Sequence, residues 1–348
     1  MNVKIEDFGE LDNQKIKLFT LTNSNKVEVR IMNYGGIITS IKTPDNSGSI
    51  ENVVLGFETF KEYISEPYLS SYPYFGCIIG RTGNRTANGA FEIDGVKHQV
   101  SLNRGTFHLH GGNEGFDKKV WNAELIENES AVGVRLSYLS VDGEEGYPGN
   151  LNSVVEYTLN EKNELKVQYF AKTDKATPIN LTQHSYFNLG NETTIENHYL
   201  QLNSSEVMEA DADIIPTGKL LPIENTVFDF RKEKRIGKDI HQLEHGYDHT
   251  YNLHNDKGEL IKIAELSEKI VGRKMEVFTT ELSTQIYTGF WNPELQLNGV
   301  KKFGKFSGIA IETQHFPDAI IQPNFKTTLL KPEEQYKQTT IFKFSTVS

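Results

Sequence analysis

The sequence predicts an all-β fold, one large antiparallel unit with a few short helices. Three observations carry that expectation. Apolar and polar residues alternate with period 2 in segment after segment, the mark of half-buried strands. The 20 Phe and 15 Tyr supply rings that favour pleated surfaces. Strands do not alternate with long helical patterns, as a parallel doubly-wound sheet requires.

Taken in order, the first strands are KIKLFTLT (15–22) and KVEVRIMN (26–33). In the second, Val27, Val29 and Ile31 point one way while Glu28 and Arg30 point the other. GGIITSIKTP (35–44) and the apolar YFGCIIG (74–80) follow. GAFEIDGVKHQVSLN (89–103) reads as a hairpin turning at Asp94-Gly95. AVGVRLSYLSVDG (131–143) is one more strand, and 152–174 makes two around Glu161-Lys162-Asn163. NHYLQLN (197–203), RKMEVFTT (273–280), TQIYTGF (284–290), GIAIETQ (308–314) and QTTIFKFS (338–345) complete the set. Helical signals are confined to FETFKEYIS (57–65), KRIGKDIHQLEH (234–245) and LSEKIV (266–271). The length of 348 residues would allow about two domains. No linker, composition shift or internal repeat divides the chain, so residues 1–348 are expected to form a single domain.

Charge and composition exclude several functions. A formal net charge of -11 argues against nucleic acid and anionic membrane partners, which need a basic footprint. Cys77 is the lone cysteine, so neither an intrachain disulfide nor a cysteine metal site is available. The segment MNVKIEDFGELDNQKI lacks the basic and apolar regions of a signal peptide, and no apolar run approaches a membrane span. A cytoplasmic protein is expected.

Four polar constellations sit at strand ends or in loops. GRTGNR (80–85) is Gly-rich but leads into a strand, so it is not a phosphate loop. It is either a turn with two solvated arginines or a place where the forked Arg85 grips hydroxyls. FHLHGGNEGFDKKVW (107–121) carries His108 and His110, which would share a face of a strand and suit metal binding, acid–base work or a plain loop. NLTQHSYFNLGN (180–191) sets His184 among rings and amides, as a sugar pocket or a satisfied core strand would. In IAIETQHFPDA (309–319), Ala310 and Glu312 share the face opposite Ile309 and Ile311. Glu312 faces either solvent or a pocket, and a buried Glu312 needs a partner such as histidine. GYDHTY (246–251) adds Asp248. Together these groups suit proton transfer on a neutral polar ligand.

The segments PYFGCIIGRTGNR, LHGGNEGFDKKVW, DGEEGYPG, LTQHSYFNL, IIPTGKLLPI with FDFR, GYDHTY and IETQHFPDA occur in one order across nearly the whole chain. As a set they resemble the aldose 1-epimerases, or galactose mutarotases. The resemblance implies a large twisted antiparallel β-sandwich, the supersandwich of that family, with a carbohydrate cleft. It implies an isomerase that interconverts the α and β anomers of free aldohexoses such as galactose and glucose, in carbohydrate metabolism. By similarity Glu312 is the general base, His184 the general acid and His110 the second active-site histidine. Asn84, Arg85, Tyr186, Asp248 and Gln285 fall on sugar-binding positions. The implied partner is a free monosaccharide acting without cofactor or metal, on a monomer or homodimer. SYPYFG (71–76) and TGFWNPE (288–294) match the family pattern most loosely, and both are placed near the cleft rim.

Because free Glu titrates near 4.3 and free His near 6.5, Glu312 is expected to be ionised and to favour a protonated His184. A non-catalytic sugar-binding module, a metal enzyme built on His108, His110 and Glu312, and a sugar-phosphate epimerase are the alternatives at this point.

Overall fold

Antiparallel sheets that share one apolar layer organise the chain. The computed structural model describes residues 1–211, 214–297 and 301–347. Among them, a nine-stranded sheet runs from the edge strand Asn122–Glu127 through Ala131–Ser140, Leu151–Asn160, Glu164–Thr173 and Tyr336–Thr346 to Lys234–Arg235 at its far edge. A five-stranded meander holds Asn2–Leu11, Gln14–Thr22, Glu28–Met32, Ile38–Pro44 and Ile50–Asn52. A six-stranded sheet takes Tyr186–Phe187, Ile309–Gln314, Ser283–Tyr287, Asp248–Asn252, Glu206–Ala210 and Pro216–Pro222 in spatial order. The inward residues of all three meet in one buried cluster that includes Val29, Val134, Tyr157, Ile286, Ile311 and Phe342. This is the all-β sandwich expected. Among the described residues no helix is long and apolar enough to cross a membrane.

The period-2 segments became strands, and the hairpin at Asp94-Gly95 pairs Ile93 with Val96. Among the strands not anticipated are Asn2–Leu11, Asn122–Glu127, Glu206–Ala210 and Pro216–Pro222. Of these, all but Glu206–Ala210 lie at a sheet edge, where burial and hence alternation are weak. The helical expectations shrink. Segment 57–65 yields the single-turn helix Phe60–Tyr63, with Glu66–Leu69 after it, and segment 234–245 yields two 3-10 turns, Ile236–Lys238 and Ile240–Gln242. The helix expected at 266–271 is absent. Leu266, Ser267 and Glu268 end the strand Ile261–Glu268, because Leu266 packs in the core and Glu268 takes the N–H groups of Ile270 and Val271 to close a turn. Only Ile78–Ile79 of segment 74–80 is strand, since Tyr74 and Gly76 adopt left-handed backbone and bend the chain.

The six-stranded sheet also explains where polar side chains gather. Glu312, Gln285 and Thr250 are opposite one another across three strands. Two residues along, the next row is Tyr186, Ala310, Tyr287 and Asp248. Directly opposed residues, and residues two apart, share a face. One face therefore carries the polar groups while Ile311 and Ile286 join the core. A short ladder beside it pairs Ile79 with Thr182 and Ile78 with Gln183, and so fixes the segment leading to His184.

Arg81 corrects the picture of two solvated arginines in GRTGNR. It is 2% exposed, and its guanidinium donates to Ser140 Oγ and to the carbonyls of Ser140, Val141 and Pro148. It ties the start of the site loop to the nine-stranded sheet. Replacing Arg81 with Met leaves those acceptors unpaired in the interior, at a cost of roughly 3 kcal/mol. Urea unfolding of Arg81→Met is expected to show that loss, with activity per folded molecule retained.

Candidate active site

Period-2 geometry places Glu312 on the pocket face of its strand, and burial then governs its chemistry. The pocket has a volume of about 420 Å³, and its wall includes Glu312, His184, His110, Arg85, Asp248 and Gln285. Asn84 and Tyr186 also line it. All eight residues singled out from the sequence therefore border one cavity.

Glu312 is 2% exposed and His184 is 3% exposed. His184 Nε2 lies 3.5 Å from Glu312 Oε1. Burial raises the Glu312 carboxyl from its ordinary 4.5 to about 8, with the negative Asp248 adding to the rise and Arg85 opposing it. Burial likewise lowers His184 to about 4. This reverses the expected ionisation. Near neutral pH the pair holds one proton, and that proton sits on the carboxyl, because neither charged form is solvated. An ionised Glu312 beside an imidazolium has the same proton count, so the two arrangements differ only by a proton shift.

His110 is placed by its loop. The strand Arg85–Ala87 pairs with Phe107–Leu109, which brings His110 against Asn84. Backbone N–H of Asn84 donates to His110 Nδ1 at 3.1 Å, and His110 N–H returns a bond to the Asn84 carbonyl. With Nδ1 accepting, the hydrogen of the neutral ring must sit on Nε2. His110 is thus a fixed donor, and burial beside His184 and Arg85 holds it well below its usual value. His108 does not share its face: His110 turns at a left-handed φ of 52°, while His108 is buried against Tyr147 and Ser101.

Asp248 is held on both oxygens, by Arg85 Nη2 at 3.2 Å and by Gln285 Nε2. Gln285 Oε1 in turn accepts from Thr250, the side chain beside it in the row. Asn84 Oδ1 accepts from Arg85 Nη1 at 3.3 Å. Arg85 Nε, His184 Nδ1 and Glu312 Oε2 have no hydrogen-bond partner among the described residues. The Tyr186 hydroxyl is spent on the Pro73 carbonyl at 2.9 Å, so this residue offers the pocket its ring.

His110, His184 and Glu312 each bring one ligating atom within 4.8 Å of the others. The set nevertheless does not suit a metal ion. The Asn84 N–H occupies the lone pair of His110 Nδ1, and Nε2 carries hydrogen, so this imidazole has no lone pair to give.

Sequence reasoning did not single out Tyr74, Arg104, Phe107, Tyr287 and Trp291, which also line the pocket. Tyr74 and Trp291 belong to the two segments that matched the family most loosely, and that looseness was the one signal pointing to them. Arg104 carries none.

A buried carboxyl–imidazole pair, polar side chains and several rings line one pocket on a face of a β-sandwich. Residues 17–343 match the aldose 1-epimerase family model. The galactose mutarotase of Rattus norvegicus is 40% identical over 344 residues, covering 97% of each chain. The aldose 1-epimerase of Escherichia coli (strain K12) is 33% identical over 345 residues, 96% of each. Among solved structures, the galactose 1-epimerase of Lactobacillus acidophilus superposes with a TM-score of 0.87 at 28% identity, covering 100% of this chain and 99% of its own. The chain belongs to the aldose 1-epimerase family.

The raised Glu312 has a consequence for stability. An unfolded chain ionises this carboxyl from about 4.5, whereas the folded chain resists until about 8. Glu312 therefore costs nothing below the unfolded value and an increasing amount as pH rises to the folded one, on the order of 3–5 kcal/mol. Glu312→Gln is expected to melt above the wild type at pH 8, with the gap closing toward pH 4. Calorimetry at the two pH values checks it.

Proposed function

We propose that this protein is an aldose 1-epimerase that interconverts the α and β anomers of free aldohexoses such as galactose and glucose, with Glu312 and His184 as its proton-transfer pair. The observation that carries the assignment is their 3.5 Å approach inside a pocket walled by hydroxyl-gripping side chains.

Mutarotation opens a cyclic hemiacetal, turns the C1–C2 bond and recloses the ring. The C1 hydroxyl must lose a proton as the ring oxygen gains one, and a free alkoxide or oxonium is costly at neutral pH. A sugar whose C1 hydroxyl donates to Glu312 and whose ring oxygen accepts from His184 stabilises the ionised pair, and draws the shared proton to the imidazole. Glu312 then takes the hydroxyl proton while His184 protonates the ring oxygen. The ring-opened state leaves a neutral carboxyl and a neutral imidazole, which is the arrangement burial favours. Closure on the other face of the aldehyde reverses both transfers. Electrons and atoms balance within the sugar, so the step needs no cofactor.

The remaining groups orient the chain. His110 Nε2–H donates to an oxygen near the reacting end. Arg85, Asp248, Asn84 and Gln285 hold hydroxyls away from C1 while the aldehyde turns. A non-catalytic sugar module would have no use for a proton pair hidden from water. The reading takes residues 1–348 as one working domain, monomeric or homodimeric. A cytoplasmic location suits the lone, buried Cys77.

Polarimetry on fresh α-galactose across pH tests the assignment. Because the sugar does not ionise, kcat/KM reports the free enzyme and should follow a bell. Its limbs are expected near 4, where His184 gains a second proton for the pair, and near 8, where Glu312 loses the last one. Glu312→Gln and His184→Asn should each lower kcat by about 10²-fold or more. Near-normal rates in either variant sink the assignment.

A further inference from the structure

The wall segment 70–74 is strained where it meets the histidines. Tyr72 and Tyr74 sit at φ of 36° and 59°, left-handed values that side-chain-bearing residues avoid. Such strain persists where the surroundings enforce it, and its position is informative. Between them, the Pro73 carbonyl accepts the Tyr186 hydroxyl at 2.9 Å, which fastens this loop to the six-stranded sheet.

The strained backbone delivers the Tyr74 ring to both histidines. Its centroid lies 4.8 Å from that of His110 and 6.0 Å from that of His184, stacked on the latter at 27°. Tyr186 covers His184 at 4.9 Å. His110 and Tyr287 stand edge-on to it at 5.3 Å and 6.5 Å. His184 thus packs against two tyrosines that are joined to each other through Pro73. Arg104 lines the pocket with Tyr74, and its charge opposes the rise that burial imposes on the Tyr74 hydroxyl.

We propose that Tyr74 is a positioning residue for the proton-transfer pair, its ring fixing the plane of His184 and excluding water from it through a clamp shared with Tyr186. The inference rests on the assignment of His184 as the imidazole of that pair. Tyr74 forms no bond with the sugar's reacting atoms in this role. It acts on His184, whose ring packs against both tyrosines and whose Nε2 must keep its approach to Glu312. The groups around His184 that bear on its charge are Glu312, His110, Asp248, Tyr186, Tyr287 and Tyr74 itself, with Arg85 and Arg104 on the His110 side.

Three measurements on Tyr74→Leu and Tyr74→Phe decide the matter. In Tyr74→Leu, kcat for galactose should fall about tenfold or more with KM within about twofold, the pattern of lost positioning. The acid limb of its pH profile should move up from near 4 toward the 6.5 of a solvated histidine. Nitrogen NMR of labelled imidazoles should show the same movement for His184 without any sugar present. Tyr74→Phe keeps the ring and should behave as the wild type in all three. A Tyr74→Leu protein that folds, yet keeps the wild-type kcat or leaves the His184 titration unmoved, overturns the proposal. So does a Tyr74→Phe protein as impaired as Tyr74→Leu, which would assign the effect to the hydroxyl and Arg104. The NMR arm stands without activity. If the wild type fails to turn over galactose, the assignment of function falls while the clamp is still tested.

Discussion

Burying a carboxyl and an imidazole together is the constraint on which the rest of this site depends. Either group alone, with 2–3% of its surface exposed, would be left neutral and inert toward a sugar. Side by side they hold one proton, which rests on the carboxyl. In the proposed reaction, a sugar hydroxyl that enters the pocket tips that proton from one to the other. The cost is a folded state that opposes the ionisation of Glu312 over the pH range in which the unfolded chain ionises freely.

The fold supplies the pair through pleat geometry. Ile309, Ile311 and Ile286 face the core, so their neighbours Glu312 and Gln285 must face the pocket. Asp248 arrives two residues from Thr250 on the next strand and is held by Gln285 and by Arg85 from another part of the chain. His184 comes from a segment hydrogen-bonded to 76–79, through Gly76 N–H to its carbonyl and its own N–H to the Cys77 carbonyl. Arg81 anchors the same stretch to the nine-stranded sheet. Glu312 thus sits on a central strand and His184 between two short ones, with the Tyr186 and Tyr287 rings supplied by strands and the Tyr74 ring by a loop.

Much of this was legible in the residues alone. Alternation announced the strands of the core, and the Ala310–Glu312 face was legible because Ile309 and Ile311 marked the other one. Edge strands such as Asn2–Leu11 were not, since a strand buried on one side of its ladder needs little apolar patterning. LSEKIV was mistaken for helix because a strand end followed by a carboxylate-closed turn imitates helical spacing. Protonation was misjudged for a related reason: solution pKa values describe hydrated groups, and burial is a tertiary property. The tautomer of His110 depends on one backbone N–H, that of Asn84, which no spacing rule reveals. Tyr74 escaped notice because its place follows from left-handed backbone rather than from periodicity.

The central claim is that Glu312 is a neutral acid in the resting pocket and shares its proton with His184. Carbon NMR of the labelled Glu312 carboxyl, assigned by comparison with Glu312→Gln and followed from pH 4 to 10, measures this directly. The account predicts a protonated carboxyl at pH 6.5 and a midpoint near 8. A carboxyl already ionised at pH 6.5, with a midpoint near the ordinary 4.5, would contradict it.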